Sequence, residues 1–212
     1  GMEHTTVSFM GSFSRDLIAH ELAHHWFGNK ITCGTWKDIW LNEGFAEYMS
    51  GLVYENLDGE TAFTNWKNGK IQNITSLPNG NLYLTDAQAE DSNRIFSGRL
   101  TYDKGSMVVH MLRYVLGDTA FFQGMQNYLA DPNLAYDFAV TTQLKTHLET
   151  ASGQDLTEFF NDWIYGQGYP IYDAAVSVLD NNQVRVILSQ TTSHNSVSFF
   201  EMPVKIKFVG PN

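Results

Sequence analysis

In most of the chain from residue 14 to about residue 165, apart from 74–97, the apolar positions recur at spacings of three and four, the period of helices that each bury one face. Ser14 is placed to cap the first of them, Asp16 lies in its first turn and Gly28 stands near its end, which predicts a helix over 14–29. Ile39, Trp40, Phe45, Tyr48, Met49 and Val53 mark a second helical pattern within 37–57. Further helices are predicted at 60–73, 100–116, 118–130, 141–151 and 155–165. Asp118 is a candidate cap, and Asp155 with Glu158 is placed like a capping box. Between 74 and 97, Asn, Gly, Pro, Ser and Asp accumulate, predicting a long loop with a short strand at Leu82–Leu84. Long ordered loops often border functional sites.

The period changes after Gly166-Gln167-Gly168-Tyr169-Pro170. Ala175–Leu179 and Val184–Leu188 alternate around Asp180-Asn181-Asn182, the pattern of a hairpin with a tight turn. A third alternating run covers Met202–Val209. The expected fold is therefore mainly α, a helical body followed by strands that do not by themselves complete a β-domain. No internal repeat or low-complexity tract is visible.

Composition narrows the classes. Of the 212 residues 43% are hydrophobic and 14% aromatic, enough for a sizeable core and unlike a disordered chain. No run approaches the ~20 apolar residues of a membrane span, and no targeting segment is legible, so the compartment stays open. The lone Cys33 excludes an internal disulfide without fixing that compartment. A formal net charge of -10 argues against a nucleic-acid partner, keeps the chain soluble, and mildly favours cationic substrates such as peptides with a free ammonium terminus.

The chemistry-bearing signal is His20-Glu21-Leu22-Ala23-His24. Histidines four apart on a helix share one face a turn apart, so both imidazoles can reach one metal ion. Glu21 projects sideways toward the open coordination position, where a carboxylate can act as a base. His25 is rotated by about 100° from His24 and is poorly placed as a ligand. A catalytic zinc takes three protein ligands and keeps one position for water, so a third ligand must come from elsewhere. Glu43, in Trp40-Leu41-Asn42-Glu43-Gly44-Phe45-Ala46, is that candidate, with eighteen residues between it and His24. A return through residues 29–36 would carry the second helix back past the first. A bare HExxH pattern also occurs where the histidines merely pair with carboxylates; the acidic residue in a second motif shifts the balance to one Zn2+ site.

With these residues in view, the chain resembles the M1-type (gluzincin) zinc aminopeptidases, the family of aminopeptidase N and leukotriene A4 hydrolase. HELAH followed by Trp26-Phe27-Gly28-Asn29, the NEGFA motif at its eighteen-residue spacing, and Tyr102-Asp103-Lys104-Gly105 are all similar to the family pattern. Thermolysin-type endopeptidases use a longer spacing and another second motif. Gly1-Met2-Glu3-His4 is similar to the end of the family's GxMEN signature, with His4 in place of Asn and the first glycine lying before residue 1. The resemblance implies a thermolysin-like zinc peptidase catalytic domain over 1–170 and the start of a β-sandwich over 171–212. It also implies an upstream part of the catalytic domain and an N-terminal β-domain, so the chain reads as part of a longer protein.

The resemblance further implies that Tyr102 donates to the tetrahedral oxyanion and that Glu3 receives the substrate ammonium. Read from the sequence alone, Tyr102 also fits a core position on a helix face, and Glu3 a solvated acid near a terminus. Because its end of the chain tends to fray, Glu3 is expected to be poorly held without an upstream sheet. Gly105 costs a helix ~1 kcal/mol relative to Ala, which points to a close backbone approach near the site. Asp38 and Asn42 are candidates for orienting zinc ligands, with surface solvation an equal reading for Asp38. Glu47 fits either the ligand face or an exposed helix charge. His110, His147 and His194 stand in no ligand spacing and read as structural. The expected activity is removal of single residues from peptide N-termini. The competing readings are an endopeptidase, an epoxide hydrolase on the same zinc cradle, and a non-catalytic peptide-binding module; a base such as Glu21 has no use in the last.

Overall fold

Ser14 is extended and its hydroxyl accepts from the Leu17 amide at 3.4 Å, so α1 (Arg15–Ala23) starts where its cap predicts. The computed structural model describes residues 1–180 and 183–209. Helix α1 ends at Ala23, short of the predicted 29, because the backbone first tightens to bonds three residues back, His25 N to Leu22 O and Trp26 N to Ala23 O. It then widens to bonds five residues back, Asn29 N to His24 O, Lys30 N to His25 O and Ile31 N to Trp26 O. Gly28 permits this turn. Its φ is +138°, and a Cβ there would stand 3.1 Å from His24 Nδ1.

The chain next forms β1 (Ile31–Cys33), which pairs in parallel with β2 (Asp137–Ala139), and then enters α2 (Trp40–Asp58). Trp40, Phe45 and Tyr48 are fully buried on α2, and Phe45 stacks on Phe27 with ring centroids 4.6 Å apart. That contact ties α2 to the turn behind α1. Helix α3 (Glu60–Ile74) follows, then the long loop, the short α4 (Ser92–Ile95), and a π-helical stretch, Gly98–Lys104, that runs into α5 (Gly105–Leu116). Helices α2 and α5 meet at glycines: a Cβ on Gly105 would lie 2.9 Å from Gly44 Cα. The close approach expected at Gly105 is thus a helix contact, and it seats the start of α5 beside Glu43.

Helices α6 (Asp118–Ala130), α7 (Thr141–Ser152) and α8 (Thr157–Phe160), with a second π-helical turn over Asn161–Tyr165, complete the body. Its core joins Phe45, Leu112, Phe121, Leu144 and Leu148. Gly117, not the expected Asp118, is the N-cap position of α6; Asp118 lies in the first turn, and its carboxylate accepts from the Arg113 guanidinium at 2.8 and 3.0 Å. The predicted strand at Leu82–Leu84 is instead a bent, buried segment. The Leu82 and Tyr83 amides both donate to Ile164 O at 3.0 Å, and the Leu84 amide donates to Lys37 O at 3.1 Å. The buried Lys104 closes the loop by donating to Gly80 O at 2.7 Å, and burial pushes its pKa down to about 7.

Strands β3 (Pro170–Leu179) and β4 (Gln183–Thr192) form the predicted antiparallel hairpin, from Pro170 opposite Thr192 to Leu179 opposite Gln183. Asn181 and Asn182 of its expected turn lie outside the described residues. The alternation is real, yet apolar residues stay in solvent: Val178 is 80% exposed and Val176 65%. Beyond the hairpin the chain returns to the body, where Phe200 is buried against Trp163 with ring centroids 4.6 Å apart. Met202–Val209 is not the strand its alternation predicts. Alternation sets side-chain faces, but a strand also needs a ladder partner, and among the described residues none pairs with this run. No helix among the described residues is long and apolar enough to cross a membrane.

Candidate active site

The crossing of α1 and α2 gathers the three predicted ligands. His20 and His24 leave one face of α1 a turn apart, and Glu43 enters from the first turn of α2. The two Nε2 atoms lie 3.0 Å apart, and Glu43 Oε2 lies 3.3 Å from His20 Nε2 and 3.2 Å from His24 Nε2. All three side chains are buried.

The opposite ring nitrogens are committed elsewhere. His24 Nδ1 lies 2.9 Å from the Phe27 carbonyl oxygen, and His20 Nδ1 lies 3.0 Å from Glu47 Oε2. Both partners accept, so both Nδ1 atoms donate and both Nε2 lone pairs face one point. Glu43 Oε2 is within ion-pair distance of the rings, but neither contact has hydrogen-bond geometry, and this buried oxygen has no donor. Three lone-pair donors converging in a buried place fit a cation that accepts mixed nitrogen and oxygen ligands, as zinc does.

The electrostatics agree with that fit. Burial disfavours a charge on His20, but Glu43 and Glu47 outweigh it and raise the pKa to about 9. Glu43 meets the same penalty and is still drawn down to about 2 by the two imidazoles. His24 is raised against its burial by Glu43. These are basic ligands beside an anionic one, where protons and a metal ion compete.

Around the three converge the other predicted residues. Glu21 is buried, its Oε2 has no hydrogen-bond partner, and ligand atoms of Glu3, Glu21 and His24 lie within 4.8 Å of one another. Tyr102 comes from the π-helical stretch, a geometry that the ordinary helical period did not signal. Its ring lies 5.8 Å from that of His20 at an interplanar angle of 29°. Burial, reinforced by Glu43, raises the Tyr102 pKa, so its hydroxyl stays protonated. Glu3, Glu21, Tyr102 and the three ligands line one cavity of about 1070 Å³, with Trp36 and Phe96 also on its wall. The segment that carries Glu3 is tied down within this chain. Met2 and Phe9 exchange two backbone hydrogen bonds at 2.9 Å, and Asn29 Nδ2 donates to Glu3 O at 2.7 Å.

Two candidate ligand-orienting residues do something else. Asp38 is buried and accepts from the Thr141 amide at 2.9 Å and its hydroxyl at 2.7 Å, which anchors α7. Asn42 accepts from the Cys33 amide at 3.0 Å, joining α2 to β1. The residue that does contact a candidate ligand, His20, is Glu47, whose one-turn spacing from Glu43 was the only sign available in the sequence. His25 reaches Ser8 on the exterior, while His110 contacts Tyr48, His147 contacts Asp131 and His194 contacts Ser196.

Comparison with known proteins places this geometry among relatives. The sequence model of the Peptidase family M1 domain matches residues 8–163. Aminopeptidase N of Lactococcus lactis subsp. lactis is 34% identical over 170 residues, covering 76% of this chain and 19% of that protein. Puromycin-sensitive aminopeptidase of Caenorhabditis elegans is 31% identical over 175 residues, covering 81% and 18%. A crystal structure of a variant of the M1 zinc metallopeptidase from Deinococcus radiodurans, bound to a Tyr-Ser-Ala substrate, superposes with a TM-score of 0.69. It shares 28% identity and covers 80% of this chain and 38% of that one. The chain thus spans about a fifth of the length of these curated relatives.

Proposed function

The chain belongs to peptidase family M1, and from that premise we propose that it carries the zinc site and catalytic groups of an aminopeptidase acting on peptides with a free N-terminus. The observation that carries this reading is the convergence of His20 Nε2, His24 Nε2 and Glu43 Oε2 beside Glu21, a carboxylate with a buried, unpartnered oxygen. His20, His24 and Glu43 would hold the ion. Bound zinc would supply a Lewis acid that polarises the scissile carbonyl and makes water a better nucleophile at neutral pH.

The remaining steps belong to the protein. Glu21 takes the proton of the attacking water and delivers a proton to the leaving amine. The Tyr102 hydroxyl, held protonated by its surroundings, donates to the carbonyl oxygen as negative charge develops there. Glu3 receives the substrate ammonium, which sets the scissile bond one residue from the terminus. Residues 1–170 form the catalytic unit in this proposal and 171–212 open a β-sandwich; the exposed apolar residues of the hairpin support the second part.

The test joins metal analysis to substrate chemistry. The purified chain should hold about one zinc, as expected of a three-ligand catalytic site. Glu43→Ala should weaken binding by more than ~10²-fold, since outer-shell partners alone are worth 10–100-fold. In the full-length protein, aminoacyl substrates with a free amine should be cleaved and their N-acetylated forms spared. Tight zinc binding by Glu43→Ala would remove the third ligand, and equal cleavage of acetylated substrates would remove the aminopeptidase.

A further inference from the structure

Lys70 lies on α3, apart from the ligands and from every group given a chemical role, yet its ammonium reaches toward both sides of the site. Nζ pairs with Glu47 Oε1 and, at 2.8 Å, with Asp103 Oδ1. Each carboxylate is also held at its second oxygen: Glu47 Oε2 by His20 Nδ1 at 3.0 Å, and Asp103 Oδ2 by Asn73 Nδ2 at 2.6 Å. Asp103 directly follows Tyr102 in the π-helical stretch. Lys70, Glu47 and Asp103 keep only 19%, 16% and 14% side-chain exposure, so the ammonium is not a freely solvated surface charge. Packing fixes its place. The Trp66 ring, one turn earlier on α3, has its centroid 5.2 Å from Nζ and is seated against Gly51, where a Cβ would lie 2.8 Å from Trp66 Cη2.

We propose that Lys70 is a positioning residue that sets His20 through Glu47 and Tyr102 through Asp103, so that one ammonium holds a metal ligand and the oxyanion donor in register. The inference rests on the metallopeptidase reading above. Without the ammonium, Glu47 and Asp103 are two part-buried anions on neighbouring elements, which repel and turn away from each other. Glu47 then no longer offers His20 a fixed acceptor, and the backbone that carries Tyr102 loses its tether. An ordinary staple between α2, α3 and the π-helical stretch would affect stability alone.

The zinc-loaded 212-residue chain and its K70M, K70Q and K70R variants provide the test, with zinc release to a chelator measured well below the unfolding temperature of each. K70M and K70Q should release zinc about 10–100-fold faster than the parent, the usual consequence of losing an outer-shell partner. Co2+-substituted K70M should show an altered visible spectrum, while K70R, whose guanidinium can span two carboxylates, should stay near the parent in both readouts. E47Q should reproduce the fast release, and adding K70M to it should change little, because both act through one contact chain. D103N should keep the parental release rate and lower kcat in the full-length enzyme. Parental zinc release and an unaltered cobalt spectrum in both K70M and K70Q, even with lowered thermal stability, would overturn the proposal. A parent chain that takes up no zinc would overturn the metal reading and this inference together, an outcome distinct from the first.

Discussion

The α1–α2 crossing and the segment 1–9 face the same cavity but are held in different ways. On the crossing, His20, His24 and Glu43 ride on helices packed around Phe27, Trp40 and Phe45, and both imidazoles have a second polar contact that fixes the ring. Gly28 and the Gly44–Gly105 contact let backbone approach where a Cβ would not fit. Glu3, by contrast, sits on a segment held by the bridge between Met2 and Phe9, a side-chain hydrogen bond from Asn29 to the Glu3 carbonyl and an exposed Ser8–His25 contact at 3.3 Å, and Phe9 is itself exposed. The candidate metal cradle is over-determined by packing, whereas the proposed amine anchor depends on a few hydrogen bonds that open at low cost. Metal binding and recognition of the substrate terminus should therefore be separable properties.

The strongest way to break this comparison is Glu21→Gln in the full-length enzyme. It should lower kcat by roughly 10³-fold, within the range of general-base catalysis, and leave zinc content at the parental level. Loss of metal would move Glu21 from base to ligand and enlarge the cradle. Tyr102→Phe keeps the ring that lies beside His20 and removes only the donor, so kcat should fall by about 10²-fold with little change in zinc affinity. An unchanged kcat would leave Tyr102 as packing for the cradle alone.

The smallest effect should come from the other region. Asn29→Ala frees the Glu3 carbonyl and should lower kcat/KM for free-amine substrates by about 10-fold, less than the ~10²-fold that a 1 Å displacement can cost. Glu3→Ala should show the same selectivity for the free amine, more strongly. Zinc release by Asn29→Ala would show that the two regions are one structural unit, and the separation argued above would fail.

Much of the cradle was legible because its information is local. The helical repeat alone places His20 and His24 on one face, the ligand count of catalytic zinc calls for a further residue, and the NEGFA motif supplies Glu43. A glycine inside an apolar helix likewise announced a close approach at Gly105, although its partner, Gly44, could not be named. The early end of α1 was hidden, since it turns on how Gly28 folds beneath His24. Polar partnerships across the fold were hidden as well. Asp38 meets Thr141, which is 103 residues away, and Glu47 meets His20 and Lys70 from two other helices.

The β-strands show the same division. Period-two alternation correctly indicated the hairpin of β3 and β4, whose partners are adjacent in the chain, but it also indicated a strand over Met202–Val209, where no ladder partner exists among the described residues. The sequence by itself determined the elements whose period is local and the family pattern, and it named the candidate ligands that the fold brings together. Tertiary structure alone decided which carboxylate holds which imidazole, where helices pass within touching distance, and which alternating run becomes a strand. Those depend on groups far apart in the chain meeting at hydrogen-bond range, and no local period encodes such meetings.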